Sequence, residues 1–193
     1  MNSFYSEEEL KKLKLKSIGK NVLISRHACF YGNENISIGS NVRIDDFCIL
    51  SGNIVLGDYI HISAYTALYG GKAGIFVSDY STISSRVSIY SSNDDYSGEH
   101  MTSPVIPDIY RGVTDAPVYI EKYAIIGSTS IVLPGITVKE GSSCGSFSFI
   151  NEDTEEWSIN IGIPCKKIKD RSKNIIKLEE NFRNGNVLPR KLF

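Results

Sequence analysis

The chain has 193 residues, a formal net charge of −1, and 41% hydrophobic and 22% charged residues. That is long enough to bury a core and too apolar for a disordered chain. A charge this close to zero speaks against a nucleic-acid partner, and no apolar run approaches the ~18 residues of a membrane span.

Residues 1–17 are expected to carry a helix. Ser6 can cap it, Glu9 completes a capping box, and Leu10, Leu13 and Leu15 supply an apolar stripe. The segment is polar and lacks the apolar stretch of a leader peptide, so a cytoplasmic protein is expected. After Ile18 the helical period gives way to an aliphatic residue every six positions, usually with a small residue four later. Ile38 pairs with Val42, Ile44 with Cys48, Leu56 with Ile60, Ile62 with Thr66, Val77 with Ser81 and Ile83 with Val87. The series resumes with Ile120 and Ala124, Ile126 and Ser130, Val132 and Ile136, Val138 and Ser142, and Cys144 and Ser148. Ile outnumbers Leu 26 to 11, beside 25 Ser and 16 Gly, as strands and tight corners require.

A short fixed period means stacked coils. Three six-residue sides make an 18-residue triangular coil, with the aliphatic residue inside the prism and the small one at the corner. Coils bonded above and below give parallel sheets, so the fold is an all-β solenoid over residues 18–165. A β-sandwich would show period-two alternation and Asn-Gly hairpins, which are scarce. Cys29, Cys48, Cys144 and Cys165 form no C-x-x-C pair and are expected as reduced thiols.

Residues 18 apart stack, so His61 should lie one coil above Arg43, with Asp45 and Asp46 at the adjoining corner below Ser63. A three-residue insertion then brings Ser85 and Arg86 above these. A polar cluster of Arg43, Asp45, Asp46, His61, Ser63, Ser85 and Arg86 on one edge of an Ile/Val prism points to an acceptor site. His27 is expected to be structural. His27, His61 and His100 are too dispersed for a three-histidine zinc site, and no metal is expected.

Residues 92–117 interrupt the repeat. So long a loop in a compact domain is usually functional, and Asn93-Asp94-Asp95-Tyr96, followed by His100, is its chemistry-bearing part. Residues 166–193 form a basic tail of nine Lys and Arg against three Asp and Glu, with a helix expected over roughly Lys173 to Asn184. Its +6 leaves −7 for residues 1–165.

Six segments carry a resemblance. Ile126-Gly-Ser-Thr-Ser-Ile-Val-Leu-Pro-Gly-Ile136 is similar to the coil with an LPG turn in sugar and antibiotic acetyltransferases. Gly162-Ile-Pro-Cys-Lys-Lys-Ile168 resembles the motif that closes the prism in galactoside- and maltose-acetyltransferase-like enzymes. Arg43-Ile-Asp-Asp-Phe47, Asp58-Tyr-Ile-His-Ile62, Ser84-Ser-Arg86 and the Asp-Asp-Tyr-Ser-Gly loop resemble the O-antigen nucleotide-amino-sugar acetyltransferases. The repeat itself resembles the hexapeptide-repeat, left-handed parallel β-helix over roughly Ile18 to Arg171.

This resemblance implies a homotrimer with active sites between prisms, acetyl-CoA as co-substrate and a nucleotide-linked amino sugar, such as a dTDP-4-amino-4,6-dideoxy sugar, as acceptor. It places the CoA arm along Gly127, Ser128, Gly145, Ser146, Gly162 and Pro164, with Lys166, Lys167 and Arg171 near its phosphates. Relatives that acetylate hydroxyls carry a catalytic histidine where this loop reads Asn93-Asp94-Asp95. An amine needs less help than a hydroxyl, so the substitution favours N-acetylation, with O-acetylation as the alternative. His61, held by a carboxylate such as Asp46, is the first candidate base. Asp94 and Asp95 follow, with Tyr96 and His100 near the acceptor.

Overall fold

The six-residue period is a single buried column. In the computed structural model, which describes residues 3–185, Ile38, Ile44, Leu50, Leu56, Ile62, Leu68, Val77, Ile83 and Ile89 all point inward and are buried. Ile120, Ile126, Val132, Val138, Cys144 and Ile150 continue the column above the loop. The coils form a three-sided, left-handed parallel β-helix. Its first face stacks Leu23–Ile24, Arg43–Ile44, His61–Ile62, Thr82–Ile83, Ile125–Ile126, Ser143–Cys144 and Ser158–Ile161. The second face contains Cys29–Tyr31, Ser88–Tyr90, Ile131–Val132 and Phe149–Ile150. The third contains Ser17–Ile18, Ile36–Ile38, Val118–Ile120 and Thr137–Val138. Two long strands, Ile49–Leu56 and Ala67–Val77, bend across both. The three-residue insertion is the extra backbone at Tyr69 to Gly74.

The small position works as expected. Hydroxyls there are buried yet bonded to the coil above: Thr66 Oγ1 donates to Ser84 O at 2.8 Å, Ser81 Oγ to Glu121 O at 2.9 Å and Ser130 Oγ to Gly145 O at 3.2 Å. A buried hydroxyl without an acceptor would cost on the order of 1–3 kcal/mol.

Three residues after most of the inward aliphatics, the chain turns with positive φ. Gly or Asn holds this place at Asn41, Gly71, Gly135 and Gly141, but Phe47, Tyr59, Tyr65, Tyr80, Arg86, Tyr123, Thr129 and Phe147 hold it elsewhere. A bulky residue there costs on the order of 1–3 kcal/mol. Two contacts offset it. The corner N–H groups of Tyr59, Tyr65 and Tyr80 donate to the coil below, at Ser40 O, Asp46 O and Asp58 O. The rings also stack, with Tyr59 on Tyr80 at 4.8 Å, Tyr80 near Tyr123 at 5.9 Å and Tyr123 near Trp157 at 5.8 Å. Gly141 leaves the space that the Trp157 indole fills.

Both ends are closed by short elements. The helix Glu7–Lys12 has the expected capping box, with Ser6 N–H donating to Glu9 at 2.8 Å, and it buries Leu10 under the first coil. At the other end the expected tail begins as a strand. Lys166–Asp170 folds back antiparallel on Ser158–Ile161, so the prism continues past 165. The helix Asn174–Arg183 follows, and it is docked rather than simply solvated. Phe182 meets Tyr59 edge-on at 5.5 Å, and the mostly buried Glu179 carboxylate takes Lys122 at 2.8 Å and Arg183 at 2.6 Å and accepts from the Tyr123 hydroxyl. Arg190 and Lys191 of the basic tail lie outside the described residues.

Candidate active site

The interruption is an ordered loop. Its root is a two-stranded ribbon in which Ser92–Asn93 pairs antiparallel with Thr114–Asp115, at the corner joining the second and third faces. Inside it, Asp95 accepts from Ser97 Oγ at 2.7 Å, Ser97 N–H at 2.8 Å and His100 N–H at 2.8 Å. This is the turn-forming role of an Asp side chain. The Ser97 hydroxyl and N–H hold its carboxyl far below the usual carboxylate range, so Asp95 makes a poor proton acceptor. His100 stays beside it, Nδ1 at 3.4 Å from Asp95 Oδ2 with its ring over Gly112.

A depressed carboxyl adds stability at pH values above the ordinary carboxylate range, and loses it only as pH falls through the depressed value. At neutral pH the contribution is therefore fully present. We predict that Asp95→Ala speeds limited proteolysis within residues 94–113 at neutral pH and leaves the melting of the prism unchanged. Equal cleavage of both proteins would remove Asp95 from this role.

Asp94 is different. It is 45% exposed, and its Oδ1 lies 3.7 Å from Arg111 Nη2, too far for a hydrogen bond. It lines a cavity of about 610 Å³ between the loop root and the second face, with Tyr90, Ser92, Asn93 and Tyr96 on one side and Ile131, Leu133 and Phe149 on the other. An apolar wall facing a few polar groups is the usual make-up of a small-molecule site. Asp94 is the carboxylate among these lining residues. Tyr90, Ile131, Leu133 and Phe149 were not foreseen, although Leu133 belongs to the Leu-Pro-Gly turn.

The expected polar edge is partly assembled. Arg43 and His61 are in register on the first face. The carboxylate that joins them is Asp45 rather than Asp46: Arg43 Nε donates to Asp45 Oδ1 at 2.7 Å, and His61 Nε2 lies 2.7 Å from Asp45 Oδ2. Partial burial opposes the Asp45 charge, but the hydrogen bonds from Arg43 and His61 outweigh it and hold the carboxyl below its ordinary range. Asp46 turns down the corner and accepts from Ser25 Oγ. Ser63 occupies the corner as a backbone element, its carbonyl facing the Cys48 thiol at 3.2 Å. Ser85 turns to Ser128 Oγ at 3.3 Å, and Arg86 lies over Tyr65 at 5.8 Å, in a stack that runs through Phe47 to His27. Within one chain, this first-face cluster and the loop-root cavity stand on different edges of the prism.

The expected cofactor residues divide similarly. A side chain at Gly127 would strike the Ser146 amide, and one at Gly145 would meet Ile161, so close stacking of the coils already requires both glycines. Gly162, at φ 103°, opens the reversal into the last strand, with Pro164 inside it. Lys166 pairs with Glu152 at 2.6 Å, and Lys167 with Glu155 at 2.7 Å and Asp170 at 2.9 Å, all on the surface. Arg171 turns its Nη1 inward, donating to Tyr123 O at 2.8 Å, Gly141 O at 2.9 Å and Ser142 O at 3.4 Å. All four cysteines are free thiols. The Cys144 and Cys165 thiols share a hydrogen bond that holds the Cys165 thiol down at about 7 and, with burial, pushes that of Cys144 up. Among the described residues, no three His, Cys, Asp or Glu side chains gather as metal ligands, and no helix is long and apolar enough to cross a membrane.

No family model matches the chain. It is 49% identical over 184 residues to a dTDP-4-amino-4,6-dideoxy-D-glucose acyltransferase of Escherichia coli, covering 94% of this chain and 95% of that one. It is also 49% identical to AntD, an N-acyltransferase from Bacillus cereus, whose structure with dTDP and 3-hydroxybutyryl-CoA superposes with a TM-score of 0.94 over 96% of this chain and 98% of that one. A serine-to-alanine variant of AntD with dTDP-4-amino-4,6-dideoxyglucose and coenzyme A gives the same TM-score of 0.94 and 49% identity, covering 96% of this chain and 100% of that one.

Proposed function

The chain belongs to the dTDP-4-amino-4,6-dideoxy-D-glucose acyltransferases, enzymes of the hexapeptide-repeat β-helix type, and from that premise we propose which of its residues do the work. It is an acyl-CoA-dependent N-acyltransferase acting on a nucleotide-linked amino sugar. The acyl group is acetyl, and the acceptor is a dTDP-4-amino-4,6-dideoxy sugar used in the cytoplasm as a precursor of O-antigen in lipopolysaccharide biosynthesis. The working form is a homotrimer, in which the first-face cluster of one prism can approach the loop root of the next.

The observation that carries the residue assignment is the loop-root cavity, where Asp94 faces an apolar wall without a hydrogen bond that consumes its oxygens. Asp94 accepts the proton that the sugar nitrogen loses as it bonds to the thioester carbonyl carbon. The tetrahedral intermediate then breaks its C–S bond, and the departing thiolate takes up a proton. The apolar wall of Ile131, Leu133 and Phe149 keeps water from competing with the amine. Asn93 and Tyr96 orient the sugar from the loop side. No acyl-enzyme forms, which leaves Cys144 and Cys165 as packing residues. The Arg43–Asp45–His61 cluster and Lys166 and Lys167 are the remaining candidates for the anionic nucleotide and CoA phosphates.

The test is a substrate screen with the purified protein and acetyl-CoA, following thiol release. We expect turnover with the dTDP-4-amino-4,6-dideoxy sugar well above that with UDP- or GDP-amino sugars or simple glycosides. Turnover confined to simple glycosides would sink the nucleotide-sugar assignment.

A further inference from the structure

Arg111 is the least explained charged side chain of the loop. It sits at the far end of the loop from Asp94, yet the ribbon of Ser92–Asn93 with Thr114–Asp115 brings the two strands of the loop together. The guanidinium is only 17% exposed. Its Nη1 donates to Asp108 Oδ1 at 3.0 Å, its Nη2 faces Asp94 at 3.7 Å, and its Nε is buried without a hydrogen-bond partner. The backbone fixes its place: Arg111 N–H donates to Asp108 O at 3.0 Å, closing the short helix Asp108–Tyr110, and Arg111 bridges to Met101 across the loop.

We propose that Arg111 is a positioning residue for Asp94, holding that carboxylate aimed at the cavity without occupying it. The proposal rests on the reading of Asp94 as proton acceptor. A cation buried at the base of the loop must be paired, and the carboxylates it meets are Asp108 and Asp94. Asp108 is almost fully exposed and takes the hydrogen bond, whereas Asp94 is met at ion-pair distance only. An opposite charge at that range orients the carboxylate by attraction alone. Because no hydrogen bond is made, both Asp94 oxygens remain open to the substrate amine. Asp95 shows the contrast, since its acceptor sites are consumed by Ser97 and His100. Elsewhere at the loop root, Lys72 and Asp115 line a second cavity together with Arg111 and Asp108, while Asp95 stays with His100.

The experiment is a double-mutant cycle of Arg111→Gln and Asp94→Asn, with Arg111→Lys alongside, assayed with dTDP-amino sugar and acetyl-CoA. We expect Arg111→Gln to lower kcat about 10-fold at neutral pH and to leave KM for acetyl-CoA unchanged. Arg111→Lys keeps the cation and should recover most of the rate. In the Asp94→Asn background, Arg111→Gln should cost nothing further. An equal loss with and without Asp94, or no recovery in Arg111→Lys, would overturn the positioning role while leaving Asp94 as acceptor. Unchanged turnover in Asp94→Asn would remove both.

Discussion

Asp94→Asn should lower kcat by about 10²-fold at neutral pH, with the melting temperature unchanged and KM for acetyl-CoA within a few-fold. A positioned general base is worth roughly 10²–10⁴-fold, and an amine, already a good nucleophile, places the expectation at the low end. A 10²-fold loss corresponds to about 2.7 kcal/mol of transition-state stabilisation. The asparagine keeps the shape of the side chain and removes only its capacity to accept a proton, so a loss in kcat reports the chemistry rather than the cavity. His61→Asn is the paired control. His61 Nε2 is committed to Asp45 on a different edge of the prism, and its replacement should cost no more than about three-fold in kcat. The reverse result, a large loss at His61 and a small one at Asp94, would transfer the base to the first-face cluster of a neighbouring prism.

The ranking of these two residues shows where the sequence was legible. The inward column was readable because a buried aliphatic at a period of six admits few substitutes. The same period placed His61 over Arg43, as the register confirms. What the period could not say is where a corner side chain points. Asp45 and Asp46 are adjacent in sequence, yet one reaches up to His61 and the other down to Ser25. A choice between two coils depends on backbone direction at the corner, not on residue type. Sequence reasoning also placed the loop carboxylates side by side without separating them. Their difference arises from Ser97 and His100, whose groups close a turn on Asp95 and leave Asp94 open.

The corners conceal themselves for another reason. Left-handed backbone is normally announced by Gly or Asn. Here Tyr59, Tyr80 and Tyr123 take it because ring stacking between coils and a bond to the coil below outweigh a local cost. That aromatic corner then decides the fate of the C-terminal helix, whose Glu179 and Phe182 dock on it. A segment that reads as a solvated basic tail is thus tied to the prism by Glu179 and Phe182 as well as by Arg171. The tail's charge of +6 is likewise not all free, since part of it is spent on nearby carboxylates and backbone.

Arg171 makes that last point testable. Arg171→Met should destabilise the protein by about 2–4 kcal/mol, because it leaves the carbonyls of Tyr123 and Gly141 without the charged donor that serves both. Hydrogen bonds to a charged group contribute about 1.5–3 kcal/mol each, and the shared Nη1 limits the sum. Burial disfavours the charge of this guanidinium, but an arginine stays protonated, so the carbonyls are what keep it inside. In a chain of this size the loss corresponds to a fall in Tm of about 5–10 °C. The folded variant should show an unchanged KM for acetyl-CoA, since Nη1 of Arg171 is committed to backbone carbonyls of the prism. Lys166→Ala and Lys167→Ala should behave oppositely. Their ion pairs lie on the surface, where such pairs contribute roughly 0–1 kcal/mol, so stability should hold while KM for acetyl-CoA rises and its salt dependence weakens. A raised KM with intact stability in Arg171→Met would return that residue to the phosphates. If instead the variant melts early and binds its donor normally, the +6 of the tail contains at least one charge whose task is to hold the top of the prism together.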